Sequence, residues 1–168
     1  MSEQTTVTTS ARVLTASDGG ILRSLGHVSN RFLIDGGATS GRLSVVQHIF
    51  EPRAIAGPMH RHHDEDEYTY VLTGRISAVL GNAEVTAGPG DLIFKPRGQW
   101  HTFWNAGDDP ASVLEIISPA GLEQLFRSFS TLEGPPPPER LAQMAAAYGC
   151  ELDFPRTWPI VEQHRLAF

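Results

Sequence analysis

The chain has 168 residues, 40% of them hydrophobic, with 13 basic and 19 acidic side chains giving a formal net charge of −6. That length predicts one domain, or one domain with a modest extension, able to bury a core without staples. An acidic chain with no basic run has no electrostatic reason to hold a phosphate backbone, and no apolar run approaches the ~18–20 residues of a membrane span, so nucleic-acid and membrane partners are excluded. The Ser/Thr-rich start, Met1 to Thr9, lacks the apolar core of a secretory signal, and Cys150 is the only cysteine. Both features predict a cytoplasmic protein.

Residues 1–20 are polar, end in Asp18-Gly19-Gly20 and read as a flexible arm. Residues 21–118 read as a β domain built of short apolar runs between turn signals such as Asp35-Gly36-Gly37, Thr73-Gly74, Gly81-Asn82 and Gly88-Pro89-Gly90. The runs Leu43–Phe50, Tyr68–Leu72, Ile76–Leu80, Asp91–Phe94, His101–Trp104 and Ser112–Ile117 are β-branched and aromatic and of strand length, as in a sandwich or barrel. No helical period fits there. Residues 119–168 read as a helical extension and tail. Ser118 is a candidate helix cap, and Leu122, Leu125, Phe126 and Phe129 form an amphipathic stripe predicting a helix over 119–131. After the stiff spacer Pro135–Pro138, a second short helix carries Leu141, Met144, Ala145 and Tyr148 on one face and stops at Gly149. The tail from Asp153, with Pro155 and Trp158-Pro159, reads as irregular.

Seven histidines are present, three of them within four residues. On a strand, His60 and His62 share a face and His63 points away, because side chains alternate with period two. Two imidazoles on one face can share a metal ion or simply hydrogen-bond within a core. The run Asp64-Glu65-Asp66-Glu67 follows; three of the four read as a solvated acidic loop, whereas Glu67 opens a strand on which it faces inward with Thr69 and Val71. Phe103 shares a face with His101 and is expected to line a pocket, with Phe94 a further candidate. Trp100, Thr102 and Trp104 share the opposite face and are expected to pack structurally. No Lys or Arg emerges from the strand pattern as an inward anchor, so the pocket reads as apolar and suited to an aromatic ligand.

The spacing of these residues carries a resemblance. One segment reads His60-x-His62, four residues, Glu67, six residues, Gly74; the other reads Gly90, five residues, Pro96-x-Gly98, two residues, His101, three residues, Asn105, with fifteen residues between Gly74 and Gly90. This resembles the paired motifs of the cupin superfamily, except that Ala54 stands where the first motif usually begins with Gly. The flanking segments Gly36–Leu43, Ser118–Phe126 and Arg140–Gly149 are similar to those of single-domain, quercetin 2,3-dioxygenase-like cupins. The resemblance implies an all-β cupin double-stranded β-helix, or jelly-roll barrel, followed by two short C-terminal helices. It implies His60, His62, Glu67 and His101 as ligands of one divalent transition metal ion per chain, Fe, Ni, Mn, Co, Cu or Zn, and a homodimer. The donor set agrees, since three imidazoles and one carboxylate suit these ions and not Mg or Ca.

By the same resemblance the chain is expected to be an oxygenase acting on an enolic or phenolic small molecule. Glu67 would serve as both ligand and catalytic base. Two other readings stand beside it: a non-redox, zinc-type cyclase or isomerase on a polyketide-like substrate, and a binding module without catalysis.

Overall fold

A computed structural model describes residues 10–168; the part of the expected arm in residues 1–9 lies outside them. Residues 10–20 are mostly exposed, and Arg31 donates to the carbonyls of Thr15 and Asp18.

Two antiparallel sheets face each other. The six-stranded sheet has the order β1 (Ile21–Arg23), β2 (Val28–Ile34), β3 (Ser44–Phe50), β10 (Ala111–Ser118), β5 (Asp66–Thr73), β8 (Leu92–Lys95). The five-stranded sheet has the order β11 (Cys150–Asp153), β4 (Met59–His62), β9 (His101–Asn105), β6 (Ile76–Leu80), β7 (Ala83–Ala87). Together they form a cupin-type β-sandwich. Strict alternation places the interior: Ser44, Val46, His48 and Phe50 of β3 are buried while the residues between them are not, and β10 repeats the pattern from Ala111 to Ile117. Register is then fixed, since a slip of one residue would turn each buried set outward. Between the sheets lies a core including Val28, Phe50, Val71, Ile76, Phe103 and Val113.

Gly74, at the crossing from β5 to β6, has φ +79°, and a Cβ there would lie 2.5 Å from that of Ala111. Only glycine fits both constraints. Ala54 is tolerated where the cupin motif usually has Gly because the left-handed residue of that turn is its neighbour Arg53, at φ +60°. Ala54 itself is fully buried and accepts from the Asn105 amide.

The extension departs from expectation in three places. First, helix α1 spans Glu123–Phe129, shorter than predicted, because Ser118 is the last residue of β10 and its hydroxyl donates to Arg42 O instead of capping a helix. Its stripe is nonetheless the expected one: Leu122, Leu125 and Phe129 pack with Ile117 of β10 and with Leu141 and Ala145 of α2 (Pro138–Ala146). Second, the chain after Gly149 returns as β11 and pairs with β4, opposing Cys150 to His62. Third, the tail forms a helix, α3 (Phe154–His164), so there are three C-terminal helices rather than two. Asp153 accepts from the Arg156 amide at 2.9 Å, and Pro155 lies in the first turn, where its missing N–H costs nothing. Helix α3 and the residues after it cover Trp104 and Ile55 in a separate apolar cluster. Among the described residues no helix is long and apolar enough to cross a membrane.

Candidate metal centre

Strands β4, β5 and β9 bring His60, His62, Glu67 and His101 together. One ligand atom from each lies within 4.8 Å of all the others. His60 and His101 are cross-strand partners, and their ring centroids are 4.3 Å apart. Three of the four residues are buried and His60 is half-buried.

The imidazoles are aimed by backbone carbonyls. His60 Nδ1 donates to Pro58 O at 2.6 Å and His101 Nδ1 to Gln99 O at 3.0 Å. Each bond fixes a tautomer and turns Nε2 toward the centre, as a metal-ligating histidine requires. His101 Nε2 stands 3.0 Å from Glu67 Oε2. His62 Nε2 is 3.3 Å from the same oxygen, but neither ring nitrogen of His62 makes an aligned hydrogen bond, although the side chain is only 3% exposed. A buried polar group left in this way is costly unless something else satisfies it. The donor set and this orphaned imidazole therefore fit a divalent transition ion. His63 lies outside the cluster, exposed, with its ring 3.7 Å from Glu151.

A charged row backs the cluster. Lys95 Nζ is 3.1 Å from Glu67 Oε2, 3.0 Å from Glu115 Oε1 and 4.0 Å from the Phe103 ring centroid, and Thr69 Oγ1 donates to Glu115 Oε2 at 2.8 Å. Lys95, Glu115 and Thr69 are all essentially inaccessible. The expectation that no basic side chain points inward is corrected by Lys95. Parity was the available signal, because Lys95 follows the buried Ile93 by two residues and is the only lysine in the chain.

Burial works to raise the Glu67 carboxyl, but Lys95 and the imidazoles outweigh it and hold it well below the usual range. Burial pushes the His62 imidazole down, and the Glu67 carboxylate overrides that, raising it to about 10. His60 and His101 are lowered, chiefly by burial. Burial also raises Glu115 to about 7 against the pull of Lys95.

Two small cavities adjoin the centre. One, of about 40 Å³, is lined by Asn30, His48, His60, Glu67 and Phe103 among others. The other, of about 50 Å³, is largely apolar and touches His60 and His62. Ala56, His60, Phe126 and Phe129 wall both. Phe103 thus lies at a cavity. Phe94 does not: alternation in β8 sends it to the outer face, 49% exposed and stacked on Tyr68, while Ile93 and Lys95 take the inside. Trp104 and Thr102 are buried away from the centre, as expected of that face. Of the acidic run, Asp64 is exposed, whereas Glu65 is buried and Asp66 pairs with Arg97 at 2.7 Å, so the solvated-loop reading holds only in part.

These features define a cupin-type barrel with a three-histidine, one-carboxylate cluster at its interior. Residues 46–117 match the cupin domain family. An 83-residue segment, 49% of this chain, is 35% identical to the tetracenomycin polyketide synthase protein TcmJ of Streptomyces glaucescens, and spans about half (54%) of that protein. The fold is similar to that of the polyketide cyclase RemF from Streptomyces resistomycificus, with TM-score 0.56 and 25% identity over 65% of this chain and 80% of that one. It is also similar to KdgF from Halomonas sp., with TM-score 0.60 and 18% identity over 68% and 99% of the two chains. The family match covers residues 46–117 alone, and the solved structures show a shared cupin-type fold.

Proposed function

We propose that the chain is a metal-dependent enzyme acting on an enolic or phenolic, polyketide-like small molecule, with His60, His62, Glu67 and His101 as the ligands. The observation that carries the reading is the convergence of three imidazoles on one carboxylate, with one ligand atom of each within 4.8 Å of the others. A bound divalent ion would supply Lewis acidity to a substrate hydroxyl and lower its pKa. Glu67 would hold the released proton, as the only carboxylate of the cluster. Lys95 would keep Glu67 ionised until then. Phe103, Phe126 and Phe129 would exclude water, and a ring-sized ligand would displace the two α1 phenylalanines that wall both small cavities.

The two polyketide relatives favour a non-redox cyclase or isomerase. The donor set equally suits redox-active iron, nickel, copper or manganese, and so an oxygenase of the quercetinase-like kind. Elemental analysis of protein purified from its own host, together with oxygen uptake on an enolic substrate, separates them. Stoichiometric zinc without oxygen uptake supports the cyclase; a redox-active metal with uptake supports the oxygenase. A wild-type chain that takes up none of zinc, iron, nickel, cobalt, copper or manganese would overturn the proposal. A homodimer belongs to the same reading, and a monomeric mass by light scattering would remove it.

A further inference from the structure

The smaller, more polar cavity holds a histidine that the cluster does not use. His48, on β3, is buried and faces Phe103 and Phe126, with ring centroids 6.2 and 5.3 Å away. Its Nδ1 lies 2.7 Å from Asn30 Oδ1, and Asn30, on β2, is also buried. An amide oxygen only accepts, so Nδ1 carries the proton and Nε2 is left as an acceptor. Among the described residues nothing hydrogen-bonds to that Nε2, on a ring lining the same cavity as His60 and Glu67. We propose that His48 is the specificity-determining acceptor of the site, with Nε2 receiving the hydrogen bond of a ligand hydroxyl and Asn30 locking the tautomer that makes it an acceptor.

Chemistry favours acceptance over proton transfer. Burial lowers the imidazole to about 4, Lys95 adds to the lowering and Glu67 opposes it, so the ring stays neutral at ordinary pH. A neutral imidazole with one nitrogen committed to Asn30 distinguishes a hydroxyl from its methyl ether. The ether brings no donor and leaves Nε2 desolvated without a partner, and such mismatches are discriminated more strongly than differences in apolar bulk.

The inference rests on the phenolic-ligand reading above, and its test separates the two. The probes are 4-fluorophenol and 4-fluoroanisole, titrated into metal-free and zinc-loaded chain and followed by ¹⁹F NMR. Wild type should prefer the phenol by about tenfold, the order expected of one hydrogen bond in a buried site. His48→Leu should bind both probes alike while retaining its zinc. His48→Gln, whose amide oxygen can still accept, should keep part of the preference and guards against a Leu variant that fails to fold. A preference unchanged in both folded variants overturns the role of His48 and leaves the metal reading standing. Binding of neither probe to wild type overturns the phenolic-ligand reading, and the role of His48 falls with it.

Discussion

The imidazole cluster and the charged row behind it occupy the same barrel interior and meet at Glu67, yet they are completed in opposite ways. Lys95 lies between two carboxylates, within 3.0 and 3.1 Å, and Thr69 supplies a further donor to Glu115, so the row is charge-compensated by the chain's own groups. The cluster sets three imidazoles against the single carboxylate of Glu67, and although His62 and Lys95 both face that carboxylate without an aligned hydrogen bond, the three rings converge where they cannot all donate. One set pairs a single cation with two carboxylates, and the other has the donor set of a candidate metal site. Substitutions in the row should therefore cost stability, and substitutions in the cluster should cost metal.

The largest expected effect is on the row. Lys95→Met removes the only cation beside Glu115 and one of those beside Glu67, and breaking such a buried pair typically costs about 3–5 kcal/mol. Urea denaturation of the metal-free chain should show it, and adding Glu115→Gln should recover part of the loss. An unchanged midpoint would mean that the row is not ionised. By contrast, His60→Ala, His62→Ala and His101→Ala should each deplete bound metal, as measured by elemental analysis, with a smaller change in metal-free stability. Glu67 belongs to both sets, so Glu67→Gln should lower metal affinity and, with metal restored by excess, keep turnover down by roughly 10²–10⁴-fold if it is the base. Full turnover at full occupancy would leave it a ligand only.

Metal affinity should also fall with pH. Without metal, Glu67 holds a proton on His62, whose value is raised to about 10, and a ligating imidazole must lose that proton. Each displaced proton weakens binding about tenfold per unit of falling pH, so affinity measured from pH 8 to 6 should drop monotonically. A flat profile would show that no ligand proton is displaced.

A second contrast, between the barrel and its C-terminal extension, is tested by Leu125→Ala. Leu125 is 3% exposed in the cluster joining α1 to α2 and β11, and its truncation should cost about 2–5 kcal/mol. A smaller loss would mean that the extension is loosely docked.

These regions also differ in how far they could be read beforehand. The candidate ligands are legible because motif spacing and strand parity coincide at His60, His62, Glu67 and His101. Parity was equally available for Lys95, but a lone lysine reads as surface until its two carboxylate partners, 28 and 20 residues away, are brought beside it by β5 and β10. Glu115 looks like an ordinary outward charge in an apolar strand for the same reason. Phe94 is misjudged because it is aromatic and near the ligands in sequence, although Ile93 takes the interior and sends it outside. Helix α3 is illegible because Pro155 and Pro159 read as breakers, and β11 because its four residues, Cys150–Asp153, include no β-branched or aromatic side chain. Pro155 is harmless only because Asp153 caps the helix just before it.

His48 sharpens the comparison by a smaller amount. Its folded value, lowered to about 4 by burial and by Lys95, lies below the ordinary 6.5. The unfolded chain therefore binds the extra proton between those limits. The sign follows: its contribution is complete above pH ~6.5 and is lost as pH falls toward 4, by an amount on the order of 3 kcal/mol. His48→Gln should flatten that part of the stability profile, and identical slopes in the two proteins would show that the imidazole titrates normally.

The smallest expected effect is none, at the residue that separates orientation from proximity. His63 follows His62 directly, so any site that merely gathered nearby histidines would use both. The β4 strand prevents this: parity turns His62 inward to a side chain 3% exposed, and leaves His63 60% exposed with its ring 3.7 Å from Glu151. The His63 amide donates to Gly149 O, which ties its backbone to the approach of β11 whatever the side chain does. His63→Ala should therefore keep full metal content and an unchanged denaturation midpoint, while His62→Ala loses its metal. Depletion by His63→Ala at unaltered stability would place a ligand on the outer face of β4 and reverse the assignment of that strand's faces.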